Sequence, residues 1–158
     1  MNDIRSPAAL ALTDIVLTVF RMNGRLLSGG DRLVAPINLT SARWQVLGAI
    51  ALAGRPQTVP QIADTMGMTR QGAQKQISRL EEDGFVESRD NPRHKRSPLY
   101  HLTDKGLDAY RKTEELNLGW VEALTDGLDL GMLRLTADVL NDIDRRLKHD
   151  TYLENIAP

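Results

Sequence analysis

Between Thr58 and Leu102 the sequence reads as a short helix, a three-residue turn, a second helix and two strand-like segments. Thr58-Val59-Pro60-Gln61 has the form of a capping box, with Thr58 as cap, Gln61 reaching back and Pro60 in the first turn. Ile62, Ala63 and Met66 then point inward and Gly67 ends the helix. Gly67-Met68-Thr69 is the turn. Thr69 caps a helix over about 70–83 that stops at Asp83-Gly84, where glycine takes the left-handed conformation that closes helices. Phe85–Arg89 and Leu99–Leu102 have strand-like content, with Asp90-Asn91-Pro92 and Ser97-Pro98 marking the turn region between them. That order is a helix-turn-helix followed by a wing, and the turn has the length of a DNA-reading pair.

The flanks are helical. A first helix begins near Pro7 and runs to about Leu27, with Ile15, Val19, Met22 and Leu26 in a stripe that Leu12 and Val16 widen. Ser28-Gly29-Gly30-Asp31 is expected to end it and 31–39 to be a loop containing Pro36. Thr40 caps a helix over about 41–53, with Trp44, Leu47, Ile50 and Ala51 on one face and Gly54 and Pro56 closing it. Thr103 caps a long helix to about Thr125, and a last one runs from about Leu130 to Lys148. Leu133, Thr136, Leu140, Ile143 and Leu147 form one apolar stripe on the last helix; Met132, Leu135 and Val139 form a second. Two apolar faces need two partners, so this end is expected to bury surface against another subunit. Met22 and Met66 are expected in the core, Trp44 and Trp120 in core and interface.

Composition sets the outer bounds. With 158 residues, 41% hydrophobic and 26% charged, the chain suits one soluble, mainly α-helical domain. It has no cysteine, which excludes disulfides, thiol nucleophiles and thiolate metal sites. The apolar run Ala8–Phe20 is interrupted and falls short of the ~20 residues a spanning helix needs. Arg21-Met22-Asn23 follows it where an export signal would place small residues, so a cytoplasmic location is expected. Net charge is −1, which alone argues against a nucleic-acid binder. The charge is unevenly spread. Residues 1–68 carry six Lys/Arg against four Asp/Glu, residues 69–103 seven against five, and residues 104–158 seven against twelve. Arg89, Arg93, Lys95 and Arg96 cluster in the middle segment, opposed only by Asp90, and a local basic point can bind phosphate on a near-neutral protein.

A helical wheel sharpens the second helix of the pair. At about 100° per residue, Arg70, Gln71, Gln74, Lys75 and Ser78 occupy one arc and Ala73, Ile77 and Leu80 the opposite one. The outer arc holds no acid from Arg70 to Ser78. Arg and Lys donate to guanine or phosphate and Gln pairs bidentately with adenine, while the capped N-terminus favours a phosphate. A plain solvated face is the bland alternative. The hairpin tip Arg93-His94-Lys95-Arg96 is either a solvated basic loop or a wing lying along the DNA backbone, with an arginine in the minor groove.

Leu39-Thr40, Trp44–Leu47, Ile62-Ala63, Met68–Gln71, Leu80–Val86, Asn91–Arg96 and Leu102–Gly106, taken in series, resemble the MarR family of bacterial transcription regulators. The resemblance covers about residues 39–106 by motif and the whole chain by length and helix order. It implies a dimeric winged helix whose terminal helices form the dimer interface and whose fourth helix enters the major groove. The DNA-binding part would be about 36–104 of a single 1–158 domain, and the dimerisation parts about 1–30 and 105–158. The DNA-contacting residues would be Thr69, Arg70, Gln71, Gln74, Lys75, Ser78, Arg93, Lys95 and Arg96, with Arg96 as the wing arginine. The family pattern has an aspartate two residues before that arginine; His94 stands there, Ser97 replaces a common glycine, and Pro98 is unusual. The resemblance also implies an effector pocket at the joint of the first, second and fifth helices, near the polar Glu114 and Asn117, with Arg21, Arg25, Arg43, Trp44 and Tyr110 as its residues.

The expected function is a sequence-specific regulator, a ligand-responsive repressor on a palindromic operator, partnered by double-stranded DNA, a second copy and a small-molecule effector. A winged helix for protein–protein contact, and a ligand-independent architectural DNA binder, are the alternatives. An acidic fourth helix would favour the first alternative; Arg70 and Lys75 oppose it. His94, His101 and His149 have no metal-site spacing, and His94 and His101 more plausibly sit in the wing as partners for phosphate or solvent. No hydrolase, P-loop or dinucleotide motif is present, so neither enzyme activity nor a cofactor is expected.

Overall fold

The computed structural model describes residues 6–156; residues 1–5 and 157–158, the ends of the expected single domain, lie outside the described part. The chain divides into two compact units, Met1–Leu118 and Gly119–Pro158. Its elements are α1 (Pro7–Val34), a 3-10 turn (Ala35–Ile37), α2 (Ser41–Ala53), α3 (Val59–Met66), α4 (Arg70–Glu82), β1 (Val86–Arg89), β2 (Leu99–Leu102), α5 (Asp104–Thr125), α6 (Leu130–Lys148) and α7 (Thr151–Ile156). The short α7 was not anticipated by the sequence pattern.

The first unit is organised around α2, whose residues Val46–Ile50 are all buried. Ile62 from α3, Ala73, Ile77 and Leu80 from α4, Val86 from β1 and Tyr100 from β2 close on it as one core. Local chemistry sets the boundaries. Thr40 Oγ1 accepts from Arg43 N (3.3 Å) and Thr69 Oγ1 from Gly72 N (3.0 Å), each satisfying an otherwise orphaned donor. Gly67 and Gly84 both have positive φ, 60° and 75°, ending α3 and turning the chain out of α4.

The expected stop at Gly29-Gly30 is wrong: α1 continues to Val34. Gly30 is buried, and a Cβ there would stand 2.2 Å from Ser41 Oγ. Ser41 Oγ donates to the Leu27 carbonyl (2.7 Å), and Ser41 N donates to Asp31 Oδ1 (2.7 Å) at the start of α2. The glycine admits a close helix crossing and does not break the helix. Residues 31–39 are accordingly helix and 3-10 turn for most of their length, with the reversal at Asn38 (φ 58°).

β1 and β2 pair antiparallel, Val86 opposite Leu102 and Arg89 opposite Leu99. Outside the hairpin, Gln57 forms a bridge to Tyr100, with backbone bonds of 2.9 and 2.8 Å. At the hairpin base Thr103 Oγ1 donates to the Gly84 carbonyl (2.7 Å) and accepts from Gly106 N (3.1 Å). A Cβ on Gly106 would stand 1.9 Å from the Phe85 carbonyl oxygen, so α5 starts directly against the wing's backbone.

Met22 is not core: it is 48% exposed, in a row with Leu12, Val16, Val19 and Leu26 on α1. Periodicity identified an apolar face but not what covers it. In the second unit, Met132, Leu135, Val139, Leu140 and Leu147 of α6 are exposed, so members of both of its stripes are open. Asp129 caps α6 through Met132 N (2.8 Å). No described helix is long and apolar enough to cross a membrane.

Candidate nucleic-acid interface

α4 carries the division drawn from the sequence. Ala73, Ile77 and Leu80 are fully buried. Thr69, Arg70, Gln71, Gln74 and Lys75 are exposed, and Ser78 is half-buried. Gln74 Nε2 donates to Ser78 Oγ (3.3 Å), which holds two of the outer-arc side chains together. The backbone N–H groups of Arg70 and Gln71 precede the first helical bond and point out of the N-terminus, where the dipole favours an anion.

The other end of α4 is clamped. Arg43 pairs with Asp83, the C-cap of α4, and donates to the Asn38 carbonyl (3.3 Å). Its guanidinium lies 5.7 Å from the centroid of the Phe85 ring. Lys105 sits 4.5 Å from the same ring centroid and donates to the Asp83 carbonyl (2.6 Å). A cation over an aromatic face contributes about 0.5–1 kcal/mol at an exposed site. Residues from α2 and α5 thus fix the point where the helix turns into β1.

Asn91 orders the wing tip, a residue to which the sequence pattern gave no role beyond its turn. It is 8% exposed; Nδ2 donates to the Ser97 carbonyl (2.8 Å) and Oδ1 accepts from Arg93 N (3.1 Å). Backbone bonds His94 N to Asn91 O (3.2 Å) and Ser97 N to His94 O (2.9 Å) complete the turn. Arg93, His94, Lys95 and Arg96 are exposed. Among the described residues none of Arg93, Lys95 and Arg96 pairs with a carboxylate. The tip is therefore ordered through Asn91 at a place where His94 holds the position of the family's aspartate. The Asn-Pro dipeptide signalled the turn, but not the bracing.

His101 sits in the wing as expected, with about a third of its side chain exposed (32%), but it has a carboxylate neighbour that the sequence pattern did not signal. It stands opposite Glu87 in the hairpin, and its Nε2 lies 2.9 Å from Glu87 Oε1. None of the five residues assigned to an effector pocket lines the cavity beside Phe85 or the two at the wing tip. Arg21 bonds Thr18 (2.9 Å) on exposed α1, and Arg25 is exposed. Arg43 is engaged by Asp83. Trp44 packs beside Gly30 and Tyr110 beside Gly48, both half-buried. Burial first, then the charge and hydrogen bond of Glu114, raise the Tyr110 hydroxyl above its ordinary value. A cavity of about 850 Å³ instead opens beside the clamp, lined by Ile37, Asn38, Phe85, Lys105, Asp108 and Lys112 among others.

Comparison with known proteins agrees with this architecture. A model of the MarR family matches residues 37–97. An uncharacterized protein of Mycobacterium tuberculosis is 36% identical over 134 residues, 85% of this chain and 92% of its own. The M. tuberculosis transcriptional regulator MosR, solved in complex with DNA, superposes with a TM-score of 0.69 at 24% identity, over 85% of this chain and 96% of MosR. CouR from Rhodococcus jostii, solved bound to p-coumaroyl-CoA, has a TM-score of 0.74 at 21% identity, over 83% of this chain and 92% of CouR. These structures share the winged-helix fold described above.

Proposed function

The chain belongs to the MarR family of transcription regulators, and from that premise we propose that it is a homodimeric repressor that binds a palindromic operator and responds to a small molecule. The observation that carries the reading is an acid-free outer arc on α4 combined, in the same unit, with a braced hairpin tip whose cations have no carboxylate partner among the described residues. Gln71 and Gln74 read base edges in the major groove, Arg70, Lys75 and Ser78 support them, and Thr69 sets the helix start against a phosphate. Arg93, Lys95 and Arg96 follow the backbone and minor groove. The exposed apolar faces of α1 and α6 take a second copy. The chain acts as one domain, with about 36–104 binding DNA and the terminal helices dimerising. Two recognition helices then meet successive major grooves about 34–36 Å apart.

The ligand response is assigned to the cavity beside Phe85 and Lys105. A molecule there that disturbs Lys105, or Arg43 through Asp83, shifts the end of α4 and selects one arrangement of the reading helices over another. The bound CoA ester in CouR supports a ligand-responsive reading only by analogy of fold.

Selecting duplexes from a random pool, followed by titration of the enriched sequence, tests the proposal. A palindromic consensus with half-sites one helical turn apart is expected, together with a dimer by light scattering. A pool without enrichment, combined with a salt-independent response, would instead support a winged helix used for protein contact. A thermal-shift screen separates a ligand-responsive regulator from an architectural binder.

A further inference from the structure

A cationic groove lies between the α2–α3 turn and the wing tip. Its volume is about 1040 Å³, with Arg55 on one wall and Arg93, His94, Lys95 and Arg96 on the other. No Asp or Glu among the described residues lines it. Among the described residues Arg55, like the wing cations, has no carboxylate partner.

Each wall is braced from behind by a buried amide. Gln57 is 5% exposed, and its Nε2 donates to the carbonyls of Arg55 (3.2 Å) and Pro56 (3.1 Å). Asn91 does the equivalent for the tip through Ser97 O and Arg93 N. The Gln57–Tyr100 backbone bridge ties the turn carrying Arg55 to the strand that leaves the tip. Buried amides are costly unless bonded, and here their bonding capacity goes to the backbone of two cationic loops. Like charges held at a set separation, with no acid between them, repel one another until an anion enters. Arginine on such a wall offers a planar fork matched to phosphate oxygens.

We propose that this groove seats a phosphodiester of duplex DNA, with Arg55 as the contact on the wall opposite the wing. The proposal rests on the regulator reading and adds to it a residue on the α2–α3 turn, outside the recognition helix and the hairpin. Arg55 is exposed, so its substitution leaves the core intact.

The test titrates wild type, Arg55→Gln, Arg55→Lys and Arg111→Gln against the pool-selected duplex and an unrelated duplex over a salt series. Arg55→Gln is expected to weaken both complexes and to reduce the slope of log affinity against log salt by about 0.9 per subunit. Arg55→Lys keeps the slope. Arg111→Gln, on α5 and away from the groove, keeps both slope and affinity. An Arg55→Gln slope equal to wild type overturns the proposal while leaving the regulator reading intact. Absence of salt-dependent binding by wild type to either duplex overturns both. Inorganic phosphate that raises the Tm of wild type but not of Arg55→Gln, with identical DNA slopes, assigns the groove to a free anion and also overturns the proposal.

Discussion

Replacing Gly30 with alanine tests how α1 and α2 are held together, and its effect should change sign with the residue at position 41. An added Cβ would stand 2.2 Å from Ser41 Oγ, 3.4 Å from Ser41 Cβ and 3.5 Å from Trp44 Cζ3. Alanine in a helix interior gains about 1 kcal/mol over glycine. Against that, Ser41 Oγ must leave the Leu27 carbonyl, and Ser41 is only 4% exposed. A buried hydroxyl without a partner costs about 1–3 kcal/mol. Crowding at the helix crossing adds about 1–3 kcal/mol if the side chain does not clear completely. Gly30→Ala should therefore destabilise by up to about 2 kcal/mol from the lost hydrogen bond alone, and by about 1–5 kcal/mol where crowding adds to it, after the propensity gain is subtracted. Ser41→Ala alone removes one hydrogen bond, about 0.5–1.5 kcal/mol. With Ser41→Ala already present the nearest remaining atoms are at 3.4 and 3.5 Å, so Gly30→Ala should then be neutral or stabilising by up to about 1 kcal/mol. Urea denaturation of the four proteins at one fixed concentration measures the cycle, since mass action shifts the apparent stability of any oligomer. Effects that add to within about 0.5 kcal/mol would refute the reasoning, because they would mean that the helices separate to admit the methyl group.

Gln71→Ala or Gln74→Ala should relax preference at particular operator positions, with about 1–3 kcal/mol of discrimination lost for each bidentate pair. Arg96→Ala should weaken specific and unrelated duplexes alike; equal loss of base preference from both kinds of mutant would show that helix and wing are wrongly assigned. Deleting residues 129–158 should give a monomer or an aggregate without specific binding, and a soluble truncated chain that binds as well as the full protein would defeat the dimer assignment. Tyr110, its hydroxyl raised by burial and by Glu114, keeps its proton to higher pH when folded than when unfolded. Its contribution is therefore full below about pH 10 and is lost as pH rises beyond that value. Tyr110→Phe should flatten the alkaline loss of stability, and identical alkaline denaturation profiles for the two proteins would count against the shift.

What the sequence made legible was local. Thr40, Thr58, Thr69 and Thr103 mark helix starts because a cap acts within three or four residues of itself. Gly67 and Gly84 mark ends because the left-handed turn belongs to one position. Gly29-Gly30 misled because the reason for Gly30 is Ser41, on another helix. Arg43 looked available to an acidic ligand because its partner Asp83 is 40 residues away. Asn91 looked like an ordinary turn residue; its bond to the Ser97 carbonyl exists only once the hairpin is folded. The polar arc of α4 was legible because a helix wheel needs nothing beyond the helix itself. The Glu87 partner of His101 was not legible because cross-strand pairing depends on register, which the two prolines of the tip did not specify.

The wing is rooted at its open end, where Gly106 abuts the Phe85 carbonyl, is tied a second time by Gln57 at Tyr100, one residue from the tip end of β2, and carries its cations beyond that tie. The length of its strands therefore sets its reach. Four residues of strand at about 3.3 Å each span roughly 13 Å. Adding one residue to each strand would turn every outward side chain inward, and adding two would restore the faces but carry the tip about 6–7 Å further out. For a duplex seated as proposed, the count of residues between Phe85 and Asn91 acts as a ruler that selects which phosphate, along a backbone of fixed repeat, the arginines meet.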